Sequence, residues 1–331
     1  MALSGCGHRA SYKLSYSGER TDTRGIFMGG IAEIFIAGAS DRTIGVQRVL
    51  RDVDMSVFSG AEIALKANYN SADPPPASTH IDTLDALCTA ILSEKPKKLT
   101  LAERSGMGNT RGVLEERGVI ALAHEMGFSA VVLDELDRTG WREIQAPGLH
   151  WSRGFFIASV FARADRVVQT CCLKTHRFGG HFTMSLKNSV GLVAKRVPGV
   201  NYDFMGELHS SPDQRLMIAE INKFYRTDLV VMDATEGFAT GGPDMGKLIH
   251  PDVIIAGTDR VAIDAVGVAL LRSYGTMRDV TEGRIFEQEQ IARAAQLGVG
   301  VASAADIRLF PLDKAAGSVA GRIQVQLDAD W

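Results

Sequence analysis

Residues 98–133 read KLTLAERSGMGNTRGVLEERGVIALAHEMGFSAVVL. Lys98–Ala102 and Ala130–Leu133 are short apolar runs of strand length, and between them Thr110–Met126 repeats apolar residues at helical spacing. Gly127 closes that helix at a position where a left-handed residue is favoured. Strand, helix, strand over this length predicts two parallel strands joined by a crossover helix, the unit of a sheet covered on both faces.

The same alternation continues in both directions. Upstream, Ile31–Ala37 (IAEIFIA) and Glu62–Ala67 (EIALKA) predict strands, with a short helix over Val46–Val53 started near Thr43 and another over Ile81–Leu92. Between them NYNSADPPPAST, residues 68–79, is a loop, because Pro74–Pro76 admit neither regular helix nor central strand. Downstream of an irregular stretch at Trp141–Trp151, strands are predicted at Arg166–Leu173 (RVVQTCCL), Leu229–Asp233 (LVVMD) and Val253–Ala256 (VIIA). Helices are predicted at Thr183–Val193, Pro212–Phe224, Arg260–Tyr274 and Ile285–Leu297, and the alternating IQVQL at Ile323–Leu327 predicts an edge strand. The expected fold is α/β: a mostly parallel sheet with helices on both faces and a ligand crevice at the C-terminal ends of its strands. Residues 1–28 are expected to be a polar arm, or an extension upstream of a start at Met28. Residues 29–331 then form the α/β domain, as one unit or as lobes of about 29–150 and 151–331.

The 331 residues carry 36 Lys+Arg against 39 Asp+Glu, a net charge of −3, with 45% hydrophobic and 23% charged residues, which excludes disordered, collagenous and disulfide-scaffold classes. No run approaches about 18 apolar residues and no secretory leader pattern stands at the start. Basic residues are scattered rather than gathered into an arm. The expectation is a cytoplasmic protein with no membrane or nucleic-acid partner, a small anionic ligand, and a homodimer as a further partner state. Cys6, Cys88, Cys171 and Cys172 match neither a zinc pair nor a ferredoxin cluster run.

Four strand ends carry the chemistry. The densest is LKTHRFGGHFTMSLKN, residues 173–188, where Lys174, His176, His181 and Lys187 could supply charge, proton transfer or metal ligation, with Asn188 beside them. The second is DATEGFATGGPDMG, residues 233–246, where Asp233 and Glu236 precede a turn whose Gly241 and Gly242 let backbone approach a ligand. It has neither a phosphate-binding P-loop nor a dinucleotide fingerprint, so ATP and NAD have no support. The third is AGTDRVAID, residues 256–264, where Thr258 or Asp259 caps a helix and Asp264 either faces the crevice or pairs with Arg260. The fourth is LKANYN, residues 65–70, with Lys66 and Asn68 at a strand end and Glu103 at the matching point of the next strand. His80, His124, His150, His209 and His250 are scattered and read as surface or satisfied histidines.

KANYN at 66–70, LKTHRFGGHFTMSLKNSVGL at 173–192, the Gly-Gly-Pro loop at 233–246 and IIAGTDRVAIDAVGVALL at 254–271 together resemble the domain of unknown function 362 family, over about residues 60–275. That resemblance implies a cytoplasmic α/β protein, from a family in which some members are fused to ferredoxin-like iron–sulfur modules and which has no established general activity. Residue by residue it points to Lys66, Asn68, Lys174, His176, Lys187, Asn188, Asp233, Gly242, Pro243 and Asp264. The chain departs from the family in lacking a ferredoxin-type cysteine run and in carrying Cys171-Cys172 where apolar residues usually precede Lys-x-His.

The preferred expectation is an enzyme acting on a small anionic metabolite: Lys66, Lys174 and Lys187 bind the anion, His176 transfers a proton, and Asp233 with Glu236 positions substrate or a divalent cation. Its alternatives are an iron–sulfur redox protein with a cluster shared between subunits through Cys171 or Cys172, a racemase or epimerase resembling the lactate racemase class in architecture only, and a non-catalytic ligand-binding protein. The candidate metal ligands are Cys171, Cys172, His176, His181 and Asp233.

Overall fold

A computed structural model describes residues 30–330. The expected polar arm and Cys6 lie outside the described residues. In chain order the strands are β1 (Ala32–Gly38), β2 (Glu62–Lys66), β3 (Lys98–Glu103), β4 (Ser129–Val132), β5 (Trp141–Ile144), β6 (Phe155–Ala158), β7 (Arg166–His176), β8 (His181–Phe182), β9 (Leu229–Gly241), β10 (Gly246–Ile249), β11 (Val253–Gly257) and β12 (Ile307–Pro311). Eight of them form the body of one sheet in the order β12-β1-β11-β9-β7-β2-β3-β4, with β8 added to β7 and β10 to β9. The fold is α/β and the sheet mostly parallel, as expected.

One strand breaks the parallel rule. β11 runs antiparallel to both β9 and β1, while β12-β1, β9-β7, β7-β2, β2-β3 and β3-β4 are all parallel. Chain length explains it. β9 turns back through residues 242–245 into β10, which pairs with it antiparallel, and only residues 250–252 separate β10 from β11, too few to reverse the chain again, so β11 runs on antiparallel to β9.

Buried residues alternate along β9 because both faces are covered: Leu229 and Val231 join the apolar layer under helices Arg42–Leu50 and Ile81–Ser93, while Val230 and Met232 join the layer under helices Arg260–Ser273 and Lys314–Asp328. Helix Arg260–Ser273 has twelve buried residues of its fourteen and lies between sheet and outer helix. β5, inside the stretch read as irregular, pairs with β6 beyond it to form a separate two-stranded sheet.

Several boundaries differ from expectation. Thr110–Met126 is two helices, Thr110–Glu116 and Val119–Met126, because Gly118 adopts φ 78° between them. Helix Arg42–Leu50 starts earlier than predicted, capped by Asp41 rather than Thr43. Residues 233–241, read as a glycine-rich turn, continue β9 and pair with β10. The predicted C-terminal edge strand is part of helix Lys314–Asp328: Asp313 caps it, and Ala316, Val319, Ala320, Ile323 and Leu327 are buried at helical spacing. Val325, which completes the apparent alternation, points to solvent. Among the described residues no helix is long and apolar enough to cross a membrane.

Candidate functional site

Parallel strands end side by side, so the polar ends of β2, β3, β7 and β9 meet at one edge of the sheet. Lys66, the last residue of β2, is buried and reaches Glu103 at the end of β3, with Nζ 2.6 Å from Oε1. Nζ also donates to the Ala67 carbonyl at 2.6 Å and to Asn188 Oδ1 at 3.0 Å. Burial pushes the Lys66 ammonium down and the Glu103 carboxyl up, and each is opposed by the other's charge. Glu103 further accepts from the backbone N–H of Arg104 and Tyr69. Lys66 is therefore paired within the protein, its charge met by Glu103. Asn188 is likewise engaged on both sides, its Nδ2 donating to the Thr170 carbonyl at 2.9 Å.

Lys174 lies at the end of β7, its side chain essentially buried. Its ammonium donates to the carbonyls of Pro76 (3.0 Å) and Ala77, with no carboxylate partner among the described residues. Asn68 holds the same proline loop, donating from Nδ2 to the Ala77 carbonyl at 3.0 Å, so it shapes the site rather than contacting open space. The run of prolines read as an exposed loop thus covers Lys174.

Lys187 and His176 differ from these. Lys187, on the short helix Ser185–Asn188, is partly exposed and makes no hydrogen bond or ion pair with any described residue. Burial, then the charges of Arg104 and Lys174, hold its ammonium down to about 8. A methyl on Gly180 would fall 2.7 Å from His176 Nδ1 and 2.9 Å from Lys187 Cε, so the two side chains flank one glycine. His176 Nδ1 accepts from the Gly180 N–H at 3.2 Å, which places the ring proton on Nε2. Burial, with Lys187, His209 and Lys174 adding repulsion, depresses His176 to about 2. The imidazole is neutral at any ordinary pH.

Sequence reasoning gave Arg104 no role and read His209 as a surface or satisfied histidine, and the charge of Lys187 acts on His209 as that of Arg104 acts on Lys187. Arg104 is buried, donates to the Val190 carbonyl (2.5 Å) and the Met205 sulfur (3.3 Å), and leaves Nε without a partner. His209, exposed at the end of helix Phe204–Ser210, has Nδ1 2.7 Å from the Met205 carbonyl. The adjacency of Arg104 to Glu103 was the available signal for the first; His209 had none, since its helix reaches the site only in three dimensions.

The acidic side of the crevice is closed. Asp233 Oδ2 accepts from Arg42 Nε (3.0 Å) and Thr83 Oγ1 (2.7 Å), and its Oδ1 from the Thr235 N–H and hydroxyl. Glu236 accepts from Arg42 Nη2 at 2.9 Å. Arg42, which sequence reasoning also missed, thereby ties the first helix to β9, and the gap between it, Pro75, Pro76 and Cys172 is too narrow to admit a water molecule. Asp233 and Glu236, expected to act on substrate or a cation, are both engaged by Arg42 and anchor the first helix to β9.

Other expected members fall elsewhere. His181, on β8, is the register partner of His176 on β7, and its ring feels the charges of Arg215, Asp279 and Glu289. Gly242, at φ 58°, passes so near β7 that a Cβ would sit 2.0 Å from the Thr175 carbonyl oxygen; Gly241, at φ 83°, makes the turn with it. Both bring strands together, without facing Lys187. Asp264 neither pairs with Arg260 nor faces the crevice: it accepts from the N–H groups of Ser185 (2.7 Å) and Leu186 (3.1 Å), at the start of the helix that carries Lys187.

The cysteines do not fit a cluster. Cys171 and Cys172 point to opposite faces of β7 and are both buried, Cys171 in the apolar layer of helix Arg260–Ser273 and Cys172 against Asp233 and Arg42. Burial pushes the Cys172 thiol up to about 11 and the Cys171 thiol well above its ordinary range, away from thiolate. Neither reaches a surface where a second subunit could share a cluster. Among the described residues no three His, Cys, Asp or Glu side chains gather as a metal's ligand set, which removes Cys171, Cys172, His176, His181 and Asp233 as one set of ligands.

The model of a family described as Domain of unknown function (DUF362) matches residues 63–269. Among curated proteins none matches the chain. Among solved structures, the lactate racemase apoprotein from Thermoanaerobacterium thermosaccharolyticum is similar at 12% identity and a TM-score of 0.46, over 90% of this chain and 86% of that one.

Proposed function

The chain belongs to the domain of unknown function 362 family, and from that premise and the geometry of the strand ends we propose that it is an enzyme acting on a small anionic substrate by proton transfer. The observation that carries the proposal is the Lys187 ammonium, which lies beside a neutral imidazole with no acceptor of its own among the described residues. Lys66 is balanced by Glu103, whereas Lys174, Arg104 and Lys187 have no ion-pair partner among the described residues, an arrangement that favours an anion in their midst. Lys187, held near 8, is still mostly an ammonium at neutral pH and so attracts the anion. His176 takes a different role from the proton transfer expected of it. With Nδ1 engaged by Gly180 and the ring neutral, it offers Nε2–H as a hydrogen-bond donor to a substrate oxygen, since a neutral imidazole loses its last proton only at very high pH.

A carboxylate or phosphate bound here would have an adjacent proton removed while its developing charge is held by Lys187 and His176. Removal and return of a proton beside a carboxylate is the step of a racemase or epimerase, so that alternative belongs within this reading. The experiment is proton exchange: a panel of 2-hydroxy, 2-amino and 2-methyl carboxylates is incubated with the protein in D2O and followed by NMR. At least one substrate gains deuterium, and Lys187→Met lowers the rate by about 100-fold or more. No exchange across the panel, with carboxylates still bound, would instead establish a binding protein.

A further inference from the structure

The two histidines that neighbour Lys187 are held in opposite tautomers. His176 accepts at Nδ1 from a backbone N–H and so carries its proton on Nε2. His209 meets a backbone carbonyl at Nδ1, 2.7 Å from Met205 O. A carbonyl only accepts, so His209 carries its proton on Nδ1, and its Nε2 is a bare lone pair when the ring is neutral. One imidazole offers a donor and the other an acceptor; Lys187 flanks Gly180 with His176, and its positive charge is felt by both rings.

We propose that His209 is the proton acceptor of this site, complementary to the hydrogen-bond donor His176. The inference rests on the reading of the site as one for proton transfer to and from a bound anion. In the step, an X–H bond of the substrate breaks, its electron pair stays on the substrate, and the proton joins the lone pair of His209 Nε2 to give an imidazolium. Lys187 remains an ammonium and, with His176 Nε2–H, holds the negative charge left behind. His209 is exposed, so the imidazolium returns its proton to the substrate or releases it to water, and no other co-reactant is needed. Its place at the end of helix Phe204–Ser210 suits a base, because the i−4 carbonyl that orients the ring belongs to Met205, whose sulfur also accepts from Arg104. The base and the buried arginine are thus fixed to one residue.

The test uses the full chain with 15N-labelled histidine, in which His176→Gln and His209→Gln assign the two rings. At neutral pH the His209 ring is expected as the Nδ1–H tautomer and the His176 ring as Nε2–H. Inorganic phosphate should move both sets of resonances along one saturation curve that Lys187→Met abolishes. With the carboxylate that exchanges in D2O, His209→Gln should lower the rate by about 100-fold and leave phosphate affinity and thermal unfolding unchanged. Phosphate that moves His176 alone, an Nε2–H tautomer at His209, or an undiminished exchange rate in His209→Gln would overturn the role of His209 while leaving the anion site standing. Phosphate that moves neither ring would overturn both.

Discussion

Lys187 and Lys66 are both lysines beside strand ends, and their surroundings give them opposite uses. Lys66 has a carboxylate at 2.6 Å; Lys187 has none among the described residues. If the Lys187 ammonium binds the anion, affinity for sulfate, whose charge is constant over this range, should fall about tenfold per pH unit above about 8. Lys187→Met should weaken sulfate and erase that dependence, as read by titration calorimetry. For Lys66 the expected loss is stability instead. Glu103→Gln leaves a buried ammonium uncompensated and should cost about 3–5 kcal/mol in urea unfolding, whereas the apolar pair Lys66→Met with Glu103→Leu should cost much less. The sequence showed both lysines and the glutamate as candidates, but a one-dimensional pattern carries no distances, and distance alone separates the paired ammonium from the free one.

At the scale of elements, the short helix Ser185–Asn188 owes its start to Asp264, a carboxylate 79 residues beyond Ser185. Burial raises Asp264 from 3.8 to about 7. The native state therefore holds that proton more tightly than the unfolded chain, so the stability it confers is full below about 3.8 and is lost as pH rises to about 7, by up to about 1.4 kcal/mol per unit. Asp264→Asn should abolish this slope: wild type loses urea stability relative to the variant between pH 4 and 7, and the difference is level above that. The Asp-x-x-Ala-x-Asp motif was legible as a motif, yet its second carboxylate read equally well as an ion-pair partner of Arg260. Arg260 in fact turns to Asn222 and Tyr225, because side chains on a buried helix are oriented by the packing around it. The C-terminal segment shows the same limit in reverse. IQVQL taken alone alternates like a strand, and only the wider window from Asp313 to Leu327 reveals the cap and the helical spacing.

Across the whole molecule, that helix closes the apolar layer over helix Arg260–Ser273, and β12 covers the free edge of β1. Deleting residues 301–331 should expose both, giving a chain that aggregates or elutes in the void volume of a sizing column. The sequence by itself determined the α/β class, the crossover units of the parallel strands and the motifs that mark the family, because hydrophobic period and turn chemistry are local properties. Tertiary structure alone decided the reversal of β11 in mid-sheet and the enclosure of Lys174 by the proline loop. It also decided the capture of Asp233 and Glu236 by Arg42 and the meeting of His176 and Lys187 around Gly180. Those outcomes depend on which segments meet in space, as Arg42 and Asp233 do across 191 residues of chain, and hydrogen bonds and charge act over ångströms whatever the separation in sequence.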